Sequence, residues 1–134
     1  IYEKPVYVPY IKKISPRNID NIKNIYNIEK YCPMSPGFLN SDGDYFLMNC
    51  PDDDLLQSGF GPGDIILVNQ AAKPDNGDVV LVFYENRVYM RRFFAENDGS
   101  VTLKFDTSII DKENFTKDEI RIVGKIEGRY TKIA

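Results

Sequence analysis

Ser58, Cys32 and Cys50, the acidic run Asp52-Asp53-Asp54 and the arginines Arg87, Arg91 and Arg92 are the side chains here whose types and spacing admit chemistry. Ser58 or Cys50 would act as a nucleophile only with a base beside it. The chain has no His, which removes His-based triads and most proton shuttling near neutral pH. Without His, two isolated cysteines cannot fill a structural zinc tetrahedron, so no metal or other cofactor is expected. Cys32 and Cys50 read as partly buried, reduced thiols rather than a disulfide. The Asp52–Asp54 run lacks the alternating ligand spacing of a calcium loop and reads as a solvated acidic turn. On a strand, Arg91 and Arg92 point to opposite faces, so only Arg87 and Arg91 share a side and could meet one anion.

The elements that must position these residues are strands. Gly63-Asp64 and Gly77-Asp78 are turn formers: Gly supplies unusual backbone angles and Asp bonds nearby amides. Each opens an apolar run, Ile65–Val68 and Val79–Tyr84. The second run turns at Glu85-Asn86 and returns as Arg87–Phe94, a hairpin over 78–94. Tyr45–Asn49 is a short strand, residues 50–64 are turn chemistry around Leu55-Leu56, and 101–105 and 120–127 are further strands. Residues 5–11, with Pro5 and Pro9, read as an extended edge segment. Residues 18–29 repeat an Asn-Ile triplet, compatible with short 3₁₀ turns but not with a sustained amphipathic helix. They are either a tolerant surface segment or a docking element. Residues 32–44 and 106–119 read as loops. The sum is a mostly β domain of short strands.

The length of 134 residues suits one domain with a single core, and nine Tyr and eight Phe lean toward β structure. The net charge of −3 argues against this domain holding DNA by itself, since phosphate binding needs a concentrated basic face. No apolar run approaches bilayer-spanning length and no secretory signal pattern is present, so a cytoplasmic protein with no membrane partner is expected.

The order of these pieces resembles the C-terminal domain of LexA, UmuD and lambda-type phage repressors, self-cleaving peptidases with a Ser-Lys pair. Tyr45-Phe46-Leu47-Met48 matches the strand that enters the family's Gly-Asp-Ser-Met turn. Gly63-Asp64 and Gly77-Asp78 match its two Gly-Asp turns, Met90-Arg91-Arg92-Phe93 falls on its Lys motif, and Val123-Gly124-Lys125-Ile126 matches its closing strand. The resemblance spans roughly residues 5–130. It implies a LexA- and signal-peptidase-like fold of short, highly curved strands with little helix. Residues 1–44 would be an N-terminal segment with the cleavage region and 45–134 the peptidase-like β core, within one domain over 1–134.

The family's chemistry is absent at the matching positions. One spacing puts Asp54 at the Ser position and a spacing one residue shorter puts Leu55 there. No Ser or Thr lies between Ser41 and Ser58, so neither register supplies the hydroxyl. Arg91 takes the Lys position, and a guanidinium stays protonated and cannot serve as base. No Lys lies between Lys73 and Lys104. Pro16-Arg17 falls where the family carries its scissile Ala-Gly. Catalytic residues are therefore not expected. Asp54 and Arg91, if both hold the old dyad positions, would instead form a charge-assisted pair.

The resemblance then implies a regulatory and dimerisation domain of a repressor, unable to cleave itself. Its partners would be a second copy of the chain and an antirepressor or other regulatory protein. DNA would be reached only through a helix-turn-helix domain ahead of Ile1, outside this sequence. An atypical peptidase using Ser58 or Cys50, or a free-standing β binding module, are the competing expectations.

Overall fold

A computed structural model describes residues 3–106 and 112–131. The strands are β1 (Val6–Ile11), β2 (Ile28–Met34), β3 (Tyr45–Asn49), β4 (Ile65–Asn69), β5 (Val79–Tyr84), β6 (Arg87–Ala95), β7 (Val101–Lys104), β8 (Asn114–Phe115) and β9 (Arg121–Tyr130). They form one 9-stranded mixed sheet in the order β2-β1-β3-β4-β9-β5-β6-β7-β8. Among the described residues helix is limited to single 3₁₀ turns, including Ile25–Asn27 and Leu56–Ser58. The mostly β architecture implied by the resemblance is observed.

The unbroken apolar runs of β4 and β5 follow from burial on both faces. Alternation is the mark of a sheet with one wet face, and a run without it needs two dry ones. Ile66, Val68 and Leu81 enter a core with Phe46, Met48 and Met90. On the other side, Val80 and Val82 join Tyr84, Leu103 and Phe115, and Leu67 packs with Tyr45 and Leu47. The β5–β6 hairpin turns at Glu85 (φ 51°) and Asn86 (φ 66°), the left-handed pair that a two-residue hairpin loop requires.

Three expectations change. β1 is not an edge: it pairs antiparallel with β2 and touches β3 in parallel at Tyr10–Leu47. Pro9 is tolerated because β3 engages β1 only at Tyr10, so its missing N–H costs no ladder bond on that side. The edge is β2, which occupies part of the stretch expected to be loop, with Pro33 on it. The first 44 residues thus enter the same sheet as the rest through β1 and β2. β8 is a further short strand inside a stretch read as loop, and residues 107–111 of that stretch lie outside the described residues.

The Asn-Ile triplets form a chain of three-residue turns. The amides of Asn18, Asn21, Asn24 and Asn27 bond the carbonyls of Ser15, Asn18, Asn21 and Asn24 in turn. A three-residue period eclipses side chains one repeat apart, and Ile19 and Ile22 drop into the core while Ile25 is exposed. Of the two readings left open, the first half of the repeat is a docking element.

Both Gly-Asp turns share one geometry. Gly63 (φ 88°) and Gly77 (φ 93°) sit in the left-handed region. Asp64 accepts from the Gly61 amide at 2.9 Å and Asp78 from the Asp75 amide at 2.8 Å. Each carboxylate then reaches β9 or its end: Asp64 accepts from the Thr131 hydroxyl at 2.7 Å, and Asp78 lies 3.3 Å from the Lys125 ammonium. The Gly61 amide, the Thr131 hydroxyl and the Arg129 charge hold the Asp64 carboxyl below its ordinary range.

β9 lies between β4 and β5 and carries a register shift against each, between Leu67 and Val68 on one side and Leu81 and Val82 on the other. Gly124 is where it approaches most closely. A Cβ there would stand 2.6 Å from Val68 Cγ1 and 2.7 Å from the Asn69 carbonyl oxygen. Backbone cannot yield as a flexible side chain can, so we expect Gly124→Ala to lower urea-unfolding stability by about 3 kcal/mol, the upper end for overpacking. Asp64→Asn should lower the melting temperature at neutral pH. Because the folded carboxyl titrates low, the gap from wild type should be complete above about pH 4 and close as pH falls through the folded value, which thermal melts across that range would check.

Candidate functional site

The turn after β3 and the return strand β6 meet at a buried ion pair. Arg91 is 3% exposed, and its Nη1 donates to Asp54 Oδ2 at 2.6 Å and to the Met90 carbonyl at 2.8 Å. Its guanidinium carbon lies 4.8 Å from the centre of the Tyr89 ring and 4.6 Å from that of Phe105. Two ring faces and a carboxylate thus replace the water that a guanidinium loses on burial. Tyr89 is itself stacked on Tyr84, with centroids 4.4 Å apart, which fixes one of those faces.

Asp52 completes the cluster without pairing closely to Arg91, from which it stands 3.9 Å. It accepts from the Met90 amide and from the Asp54 amide, each at 3.0 Å. Burial raises its carboxyl above the ordinary value, against those amide bonds. The acidic run is therefore not the solvated turn its composition implies: Asp53 alone is exposed, while Asp52 and Asp54 are partly buried. Nothing local in Asp52-Asp53-Asp54 announces this, because the arginine arrives from a strand 37 residues away.

Residues 10–127 match the sequence profile of the Peptidase S24-like family. The chain belongs to that family. It is similar to the LexA repressor of Clostridium novyi, 27% identical over 93% of this chain and 60% of that protein. The LexA repressor of Geobacillus sp. (strain WCH70) is 31% identical over 93% of this chain and 58% of its own length. The chain thus spans about 60% of the curated relatives it matches.

Within this Peptidase S24-like fold, Asp54 and not Leu55 faces Arg91. Leu55 is 1% exposed and belongs to the core with Phe46 and Ile66. Arg92 points away and donates to the Gly77 carbonyl at 2.8 Å, joining the second Gly-Asp turn.

The other nucleophile candidates are held in structural roles. Ser58 Oγ donates to Asp106, 2.9 Å from Oδ2, and the same oxygen accepts from the Ser58 amide at 2.8 Å. Asp106 in turn donates its own amide to the Asp54 carbonyl, so this link buttresses the acidic turn. Cys50 Sγ lies 3.1 Å from the Asp52 carbonyl, and burial, with the charges of Asp52, Asp64 and Asp53, pushes the thiol up to about 11. A thiol that high is not a thiolate nucleophile at neutral pH. Cys32 and Cys50 are both free.

Pro16 and Arg17 are exposed at the start of the triplet turns, where Asn18 Oδ1 accepts from the Ser15 amide at 2.8 Å. Pro16 borders a groove of about 450 Å³ that also contains Cys50 and Pro51, but neither Asp54 nor Arg91 lines it.

Removing one partner of a buried ion pair leaves the other charge uncompensated. Asp54→Ala should therefore destabilise the fold by about 3 kcal/mol in urea unfolding, the low end for such sites because Asp54 is partly wet. Replacing both partners, as Asp54→Leu with Arg91→Met, should recover most of that loss.

Proposed function

We propose that this chain is the regulatory and dimerisation domain of a LexA-like repressor and does not cleave itself. The observation that carries the reading is the 2.6 Å contact between Asp54 and Arg91. The two groups come from the turn after β3 and from β6, the elements that in the family carry the Ser and the Lys. A carboxylate has no hydroxyl to add to a carbonyl, and a buried guanidinium cannot accept a proton. Asp54 and Arg91 then act as a permanent clasp between those elements.

Support for association with a second copy comes from the outer face of the β1–β2 ribbon. The register sets Tyr7 beside Pro33 and Pro9 beside Tyr31. Tyr7 is 62% and Tyr31 55% exposed, aromatic area of the kind that anchors interfaces. Two linked copies would hold two DNA-binding heads at high effective concentration over paired half-sites. The heads would belong to a preceding domain, since the net charge of −3 does not favour phosphate contact here. Release from DNA would then depend on an antirepressor or other regulatory protein in the cytoplasm, not on self-cleavage.

Incubation at alkaline pH, and separately with activated RecA filaments, should leave the chain intact by mass spectrometry, and sedimentation velocity should show a dimer. A time-dependent cut near Pro16-Arg17 would overturn the non-cleaving reading, and a monomer at all concentrations the dimerisation reading.

A further inference from the structure

We propose that the groove between residues 12–16, the Met48–Pro51 turn and the tip of the β5–β6 hairpin docks an acidic, extended peptide segment of a partner protein. This deepens the reading of a repressor controlled by a protein partner, and rests on it for the partner's biological role.

The argument is from charge and shape. Lys12, Lys13 and Arg87 line the groove and all three are exposed, with the Arg87 guanidinium carbon 5.6 Å from the centre of the Tyr89 ring. Among the described residues none of the three joins an ion pair, so their charges are open to a group from outside. Among the described residues no carboxylate lines the groove, in a chain whose acids outnumber its bases 20 to 17. Three adjoining positive charges with no carboxylate paired to them favour negative charge from outside.

The floor argues for a peptide over a phosphate backbone. Ile14 and Met48, each 5% exposed, lie beneath it, with Pro16, Pro51 and Val88 on its walls. Asn86 adds an amide that can meet a peptide backbone, and Asn49, whose Oδ1 accepts from the Tyr10 hydroxyl, adds its amide nitrogen as a donor. The volume of about 450 Å³ lies within the range of clefts that bury a ligand. Nucleic acid would instead need a broad basic face without such an apolar floor.

A second hollow of about 460 Å³ shares Lys12, Lys13 and Ser15 with the first. It adds Arg17 and Tyr26, and its one acid is Glu29. A segment crossing the Lys12-Lys13 ridge would meet Tyr26, 93% exposed, as a ready apolar contact.

Fluorescence anisotropy on the full chain tests this, with a labelled short peptide alternating Glu and Leu as probe. Saturable binding is expected, weakening as salt rises. The matching Lys-Leu peptide should bind at least about tenfold more weakly, and Lys12→Glu/Lys13→Glu/Arg87→Glu should lose affinity by at least about tenfold. Lys73→Glu, away from the groove, should bind as wild type. If the triple variant does not fold, NMR shifts in the wild-type chain decide: changes confined to residues 12–16, 48–51 and 86–88 support the site, and changes elsewhere overturn it. Equal binding by the folded triple variant would overturn it, as would a short mixed-sequence DNA duplex that binds as well and displaces the peptide. So would peptide uptake that occurs only through a change in self-association on sedimentation. An intact, dimeric chain that ignores the peptide would sink this inference alone, whereas a self-cut chain that binds it would sink only the non-cleaving function.

Discussion

Everything in this fold depends on the insertion of β9 between β4 and β5. Without it the sheet is two pieces: β2-β1-β3-β4 on one side and β5-β6-β7-β8 on the other. The two Gly-Asp turns stand at the heads of β4 and β5, and their carboxylates both reach across to β9 or its end, Asp64 to Thr131 and Asp78 to Lys125. Gly124 is the point where the fit is tightest, because Val68 and the Asn69 backbone leave no room for a Cβ. β9 carries a register shift against each neighbour, an irregularity that bends and twists a strand locally.

The candidate site inherits its geometry from that arrangement. Asp54 belongs to the half that ends in β4 and Arg91 to the half that begins with β5, so their ion pair is a second link between the halves that β9 joins. A Ser-Lys pair in such a place works because an amine can lose its proton and regain it. An Asp-Arg pair carries fixed opposite charges and gains most by staying closed. Tyr89 and Phe105 cover the guanidinium, and the Ser58–Asp106 link braces the turn that presents Asp54. What the scaffold aligns at this place is an ion pair.

The central strands were legible in the sequence because burial on two faces writes itself as unbroken runs, in Ile65–Val68 and Val79–Tyr84. The hairpin was legible through Glu85-Asn86, and the side shared by Arg87 and Arg91 through simple alternation. β2 was not, because an edge strand with Glu29, Lys30 and Pro33 has little apolar area to betray it, and its pairing comes from β1 some twenty residues earlier. The triplet repeat showed its turn period but not which isoleucines would be covered. The acidic run misled for a different reason: whether an Asp is solvated depends on what the fold brings beside it. Asp106, the brace on Ser58, carries no local signal at all, since only the tertiary fold brings position 106 to position 58.

The position of β9 has a consequence in time. Among the described residues it is the last strand in chain order and the middle strand of the sheet. As the polypeptide emerges from a ribosome, β4 and β5 are made first and must wait, each with a row of unanswered amides and carbonyls along one side. Those open, apolar strands are the segments most prone to pair wrongly with a neighbouring nascent chain. Asp64 and Asp78 place negative charge at the heads of β4 and β5 before Thr131 and Lys125, which will engage them, have been made. Charges that tether the finished sheet thus also flank the open edges of its unfinished halves.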